Sequence, residues 1–275
     1  MIDSAHGILV GYDGSSHSQQ ALSWAAREAR ARRARLTVCH AWVPGYAGPS
    51  APGLEDLARD SARQILASGM RAIGDQEVRP LLAQGAPAAT LCAQSTRADM
   101  VVVGSRGLGG LSGLMLGSVS LQVAAHAAGP VVVVRGHWKA TGAYAPGPIV
   151  VGSDGSAAAK HALAFAGDEA AVHQAPLIAV CALSDTLGEL GAAHRIEDEF
   201  EESLTAWEKD HPDIEVHRQV TVRSPREALL MAAQDAQLLV LGYRGRGGLH
   251  GMTLGSVSQA MLAHAPCPVA VVHPR

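Results

Sequence analysis

Met100-Val101-Val102-Val103-Gly104-Ser105-Arg106-Gly107 runs from an apolar stretch straight into glycines, and after nine further residues Gly117-Ser118 opens an amphipathic segment. The pattern returns as Leu238-Leu239-Val240-Leu241-Gly242-Tyr243-Arg244-Gly245, nine residues, then Gly255-Ser256. Each copy has the form of a buried strand that leaves through a glycine loop and feeds a helix N-terminus. Such a loop presents backbone N–H groups and the positive end of a helix dipole, which together suit a phosphate. The spacing agrees at every glycine, so the chain carries two equivalent sites, each fitted to an anion.

The duplication reaches beyond these loops. Ile8-Leu9-Val10-Gly11-Tyr12-Asp13-Gly14-Ser15 aligns with Ile149-Val150-Val151-Gly152-Ser153-Asp154-Gly155-Ser156. His126-Ala127-Ala128-Gly129-Pro130-Val131 aligns with His264-Ala265-Pro266-Cys267-Pro268-Val269. A period near 140 residues far exceeds the roughly 20–50 of a solenoid repeat. It is the length of one whole domain, and 275 residues accommodate two. The expected domains are residues 1–138 and 147–275, joined by a turn-rich stretch ending in Ala145-Pro146-Gly147-Pro148.

Each half alternates short apolar runs with helical spacing. In the first, strands are expected over Gly7–Tyr12, Leu36–Trp42, Val78–Ala83, Met100–Gly104 and Val131–Val134. Helices are expected from Ser15 or Ser16 through Ala29, over Leu54–Ile73, from Pro87 to Arg97, and over Val119–His126. The second half repeats the order, with strands near 148–152, 177–182, 215–221, 238–242 and 269–272 and helices near 157–171, 189–209, 225–235 and 256–264. Apolar strands alternating with helices imply an α/β fold with a parallel sheet covered on both faces. Ligands of such sheets lie at the carboxyl ends of the strands, at a switch in strand order. Asp13 and Gly104 both stand at such ends and can converge although 91 positions separate them.

Composition narrows the function classes. The net charge is −3, and Lys occurs only at 139, 160 and 209, with no basic run for nucleic acid. No apolar run approaches the ~20 residues of a membrane span. Acidic Asp3 and the lack of a signal-peptide core give a cytoplasmic expectation. Cys39, Cys92, Cys181 and Cys267 are scattered beside apolar segments, as small buried hydrophobes of a reducing compartment would be. Aromatics make up only 4%, so Ala, Val and Leu must build the core.

Asp13 and Asp154 can accept bonds from a ribose hydroxyl or an adenine amine. Asp-Gly-Ser is also ordinary turn chemistry with a helix cap behind it. Its repetition, each time with a glycine loop, favours the ligand role. Gly104 and Gly107 are expected to supply positive φ and close backbone approach. Gly117 should admit phosphate to the first helical N–H groups, and Ser118 should cap the helix or donate to phosphate. Arg106, Arg244 and Arg246 are either phosphate contacts or solvated loop residues. If Arg246 is a phosphate contact, the second loop should grip polyphosphate more strongly than the first. Neither loop is a Walker P-loop, since no lysine follows, and no GxGxxG follows the first strand of either half. No Cys/His set has zinc spacing, and no Gly-x-Ser-x-Gly elbow occurs.

With Asp-Gly-Ser after strand one, Gly-x2-Gly-x9-Gly-Ser after strand four and His-Ala-Pro-Cys-Pro-Val before strand five, the chain resembles the ATP-binding branch of the universal stress protein family. It looks like a tandem member, the form seen in actinobacteria. The resemblance implies two open five-stranded parallel sheets of order 3-2-1-4-5, Rossmann-like, with ATP and Mg2+ in each domain. It implies homodimerisation through edge strand five. The implied nucleotide contacts are Gly11, Asp13, Ala41, Gly104, Ser105, Arg106, Gly107, Leu108, Gly109, Gly110, Gly117, Ser118 and Val119. In the second domain they are Gly152, Asp154, Ala182, Gly242, Tyr243, Arg244, Gly245, Arg246, Gly247, Gly248, Gly255, Ser256 and Val257. Tyr243, Arg246 and His250 replace Ser105, Leu108 and Ser112, which puts equal affinity of the two sites in question.

The function so expected is a nucleotide-dependent regulator in stress response. It has no catalytic residue, at most slow ATP hydrolysis, an unspecified signalling partner, and no nucleic acid or membrane contact. The rivals are an adenylating enzyme on the same fold, which needs a further charged cluster, and a dimerisation module without nucleotide.

Overall fold

The computed structural model describes residues 7–44, 53–74, 76–108, 115–135, 147–183, 190–246 and 253–274. The chain divides into two units, Met1–Val134 and Arg135–Arg275. The first contains β1 (Gly7–Gly11), α1 (Ser16–Arg32), β2 (Leu36–Trp42), α2 (Leu54–Ile73), β3 (Val78–Gln84), α3 (Pro87–Ser95), β4 (Ala98–Gly104), α4 (Ser118–His126) and β5 (Val131–Val134). Its strands are all parallel in the order β3-β2-β1-β4-β5. The second contains β6 (Ile149–Gly152), α5 (Ala157–His173), β7 (Leu177–Ala182), α6 (Leu190–Asp210), β8 (Val216–Thr221), α7 (Pro225–Ala232), β9 (Leu238–Gly242), α8 (Ser256–His264) and β10 (Val269–Val272). Its order, β8-β7-β6-β9-β10, is the same topology, again parallel. Each is the expected 3-2-1-4-5 sheet.

Local chemistry fixes the elements. Ser15 Oγ accepts from the Ser18 N–H at 3.2 Å and caps α1. Ser156 Oγ does the same for the Ala159 N–H and α5. Both helices end on a left-handed residue, Arg33 at φ 51° and Gln174 at φ 50°, where glycine is usual. The matched exceptions show that the duplication extends to the caps. Val and Leu of β1, β4, β6 and β9 are almost wholly buried, and Trp24 and Phe200 are the largest core side chains.

Two expectations need adjusting. The outer strands β3 and β8 are not buried runs, because most of their residues are partly or fully exposed. As end strands of their sheets they carry Arg79 and Pro80, or His217, Arg218 and Gln219, and an end position tolerates proline. Helices α3 and α7 stop two or three residues short of the expected ends, and β4 begins two residues early.

Cys39, Cys181 and Cys267 are buried free thiols and Cys92 is half-buried. Burial pushes Cys39 and Cys267 up to about 12. Among the described residues no helix is long and apolar enough to cross a membrane.

Candidate functional site: an aspartate tied to a glycine loop

β1 and β4 are neighbours, and the chain leaves β1 toward β2 on the other side, so their carboxyl ends flank a switch point. Asp13 follows β1 there. Its Oδ1 accepts from the Ser15 N–H at 3.0 Å, and its Oδ2 accepts from the Leu108 N–H at 3.1 Å. One carboxylate therefore ties the start of α1 to the glycine loop after β4. In the second unit Asp154 repeats both contacts, to the Ser156 N–H at 3.0 Å and the Arg246 N–H at 2.8 Å. The turn role and the loop role of this aspartate are not alternatives, because each oxygen serves one of them. Burial alone would raise the Asp13 carboxyl. Bonds from Ser15, Ser18 and Leu108 outweigh it and hold the group below its ordinary 3.8.

The glycines are required for space. A methyl group at Gly107 would stand 2.5 Å from Asp13 Oδ2, and one at Gly245 would stand 2.5 Å from Asp154 Oδ2. At Gly104 it would meet the His17 carbonyl oxygen at 2.5 Å, and at Gly242 the Ala158 carbonyl carbon at 2.8 Å. Positive φ, expected at Gly104 and Gly107, is not found at either. It occurs at Gly14 (+84°) and Gly155 (+74°), in the Asp-Gly-Ser turns. Gly104, Gly107, Gly242 and Gly245 serve close approach alone, and the turn glycines supply the left-handed step.

The loops close on the helices in the same way. The Gly117 N–H donates to Ser105 O at 2.7 Å, and the Gly255 N–H to Tyr243 O at 2.8 Å. Ser120 Oγ donates to Gly104 O at 2.6 Å, and Ser258 Oγ to Gly242 O at 2.8 Å. Ser118 and Ser256 do not cap their helices. Gly117 and Gly255 hold the cap positions, and each serine is the exposed first helical residue, followed by Val119 or Val257. With glycine at the cap position, neither α4 nor α8 has a side-chain cap from its own N-cap residue. Helices α1 and α5, by contrast, have a donor satisfied by a serine. A helix start left without a side-chain cap beside glycine is the cradle an anion would complete.

The remaining candidates fall into place around this frame. Ala41 and Ala182 lie half-buried at the carboxyl ends of β2 and β7, next to the ends of β1 and β6. Gly11 and Gly152 face the core instead. A methyl at Gly11 would meet Leu91 at 2.9 Å, and one at Gly152 would meet Leu241 at 2.7 Å. Arg106 donates from Nε and Nη2 to His17 Nε2, at 3.2 and 3.1 Å. Burial, then Arg106, pushes the His17 ring below its ordinary 6.5, with Asp13 opposing. Ser105 is buried, and Tyr243 stacks on His273 at 4.9 Å. Arg244 is partly buried. Arg246 directs its guanidinium to Glu199 of α6. Gly109, Gly110, Gly247, Gly248 and His250 lie outside the described residues.

His17, Ser120, Ser258 and Glu199 were not among the expected site residues. The repeated Gly-Ser-Val-Ser of residues 117–120 and 255–258 carried a signal for the two serines. His17 and Glu199 are not repeated in kind in the other half and left none.

Known proteins agree with this duplicated frame. The model of the universal stress protein family matches twice, over residues 5–135 and 147–273. The chain belongs to the universal stress protein family. A universal stress protein of Mycolicibacterium smegmatis is 37% identical over the whole of both chains. One of Mycobacterium tuberculosis is 37% identical, covering 97% of this chain and 96% of its own. Among solved structures, a universal stress protein from Archaeoglobus fulgidus superposes with a TM-score of 0.75 at 22% identity, covering 96% of this chain and 97% of that one. That structure supports the universal stress fold, and the mycobacterial relatives match both domains end to end.

Proposed function

We propose that each domain binds one ATP at the carboxyl ends of its strands, and that the chain acts as a nucleotide-dependent regulator in stress response. One observation carries this: in both halves an aspartate after the first strand is bonded to the glycine loop after the fourth, beside a helix start whose cap residue is glycine. Ala41 and Ala182 would line the adenine side. The phosphates would lie over Gly107, Gly117 and Ser118, or over Gly245, Gly255 and Ser256, where backbone N–H groups accumulate. Among the described residues no three metal-ligating side chains gather at either loop. Mg2+ would therefore be held mainly by phosphate oxygens and water. Both oxygens of Asp13 and Asp154 already accept backbone N–H bonds, so neither carboxylate is placed as a general base. Any hydrolysis would be slow, and binding is the activity.

Pairing through strand five, either between the two halves of one chain or with a second chain as a homodimer, is part of the same proposal. Light scattering on Val132→Lys and Val271→Lys, with folding checked by circular dichroism, should show a lower mass than the parent. An unchanged mass removes the homodimer.

The main test is calorimetric titration of nucleotide-stripped protein with ATP. Two-site binding gives a stoichiometry near two, and Asp13→Asn or Asp154→Asn should each lower it toward one. A stoichiometry of zero sinks the proposal.

A further inference from the structure

The two crevices share a frame but differ at one place on the rim. In the second, Arg246 Nη2 and Glu199 Oε2 meet as an ion pair between the glycine loop and α6. The pair stands directly over the Asp-Gly-Ser turn. A methyl at Gly155 would lie 2.7 Å from Arg246 Nη2 and 2.8 Å from Glu199 Oε2. In the first crevice the corresponding glycine, Gly14, has Ile65 of α2 beside it, at 3.6 Å from such a methyl. Leu108 there holds the place of Arg246, and its N–H makes the same bond to the aspartate. An apolar pair of positions, Ile65 and Leu108, has thus been exchanged as a unit for an acid and a base.

The exchange alters what the second crevice offers an anion. Arg246, the cation nearest the Asp154 turn, already serves a carboxylate. A phosphate that approaches Arg246 competes with Glu199 for its Nη2 donor and meets the negative charge of that carboxylate beside it. The field of this rim reaches the strand ends. Burial pushes the Cys181 thiol of β7 up to about 11, with Asp154, Glu197 and Glu201 adding to the rise and Arg246 opposing. A ligand without phosphate meets no such competition.

We propose that Glu199 sets the phosphate preference of the second domain: clasped to Arg246, it turns that crevice toward adenine ligands of low phosphate charge, while the first crevice keeps the preference for the triphosphate. This rests on nucleotide binding at the two loops. Because the pair is more than a third exposed, the effect is modest, roughly 3- to 5-fold in affinity.

The test reads ATP against adenosine at one site at a time in the full-length chain. The first site is silenced with Gly107→Val or, should that chain fold poorly, Asp13→Asn. Glu199→Gln should then tighten ATP roughly 3- to 5-fold and leave adenosine unchanged. Adding Arg246→Leu should abolish the gain. The reciprocal graft, Ile65→Glu with Leu108→Arg in a chain silenced by Gly245→Val, should weaken ATP at the first site by a similar factor without affecting adenosine. A merely structural Glu199 would move both ligands together. If Glu199→Gln leaves the ATP-to-adenosine ratio unchanged while both still bind, the clasp is overturned and nucleotide binding stands. If neither ligand binds in any chain, nucleotide binding is overturned and the clasp with it.

Discussion

In the first half the residue that follows the glycine turn is Leu108, exposed and apolar. In the second it is Arg246, held by Glu199. In the first half Arg106 leans on His17, whereas Ala158 occupies the place of His17 in the second. Beneath these differences the frames coincide: aspartate to loop N–H, cap glycine to loop carbonyl, and helix serine to the last carbonyl of the strand. Duplication preserved the bonds that build a crevice and let the side chains at its rim diverge. What is shared is the holding of the loop. What differs is the charge that meets the ligand.

The largest expected effect tests how closely the two frames agree. Gly104→Ala drives a methyl to 2.5 Å from the His17 carbonyl oxygen, whereas Gly242→Ala meets the Ala158 carbonyl carbon, likewise rigid backbone, at 2.8 Å. Overpacking of this kind costs about 3 kcal/mol in the first case and about 1 kcal/mol in the second. Hydrogen exchange of the β1 and β6 amides reads each half separately. Equal losses would show that the halves adapt alike.

Next comes the shared aspartate. Asp13→Asn and Asp154→Asn each place an amide where a carboxylate oxygen accepts an N–H. Each should cost its own site about 1.5–3 kcal/mol, or about 10- to 150-fold in ATP affinity, and leave the other site intact. Site-resolved titration checks this. If one variant weakened both sites, they would have to be treated as coupled rather than parallel.

Ser120→Ala and Ser258→Ala each remove one buried hydrogen bond to the end of a strand. Both should lose about 1 kcal/mol of stability, measured by denaturant unfolding. A clear inequality would mean that the serines anchor loops of different rigidity.

The smallest effect concerns acid. The folded protein favours the neutral His17 ring, whose Nε2 accepts from Arg106. Its contribution is therefore in place above the ordinary 6.5 and is lost as pH falls through that value toward the lower folded pKa. Between about pH 5 and 7, ATP affinity at the first site should drift slightly more than at the second, and His17→Ala should remove the excess. A nuclear magnetic resonance titration giving His17 a raised pKa would reverse the sign and end the argument.

The sequence made the crevices legible wherever a residue was present twice. Gly104 and Gly242, and Asp13 and Asp154, were accessible from spacing because both copies carried the same demand, whereas the strand order came only from the family resemblance. The reason for the glycines was not: an unusual φ and a close approach leave the same letter. Residues present once were hidden for a different reason. Glu199 looks like one more acid on an amphipathic helix, and only the packing of α6 brings it to Arg246, 47 positions away. For Ser118 the sequence leaves open a cap or a phosphate donor, because Gly-Ser before a helix allows either residue the cap position, and the chain gives the cap to Gly117.

The buried thiols bear on how a stress could reach this protein. Peroxides and electrophiles attack thiolates. With Cys39 and Cys267 raised to about 12 and Cys181 to about 11, no more than about one in ten thousand of each is ionised at neutral pH. Burial raises the half-buried Cys92 as well. Cys39, Cys181 and Cys267 are therefore poor targets for oxidants. On the nucleotide reading proposed above, a signal would enter through what occupies the two crevices and not through these sulfurs.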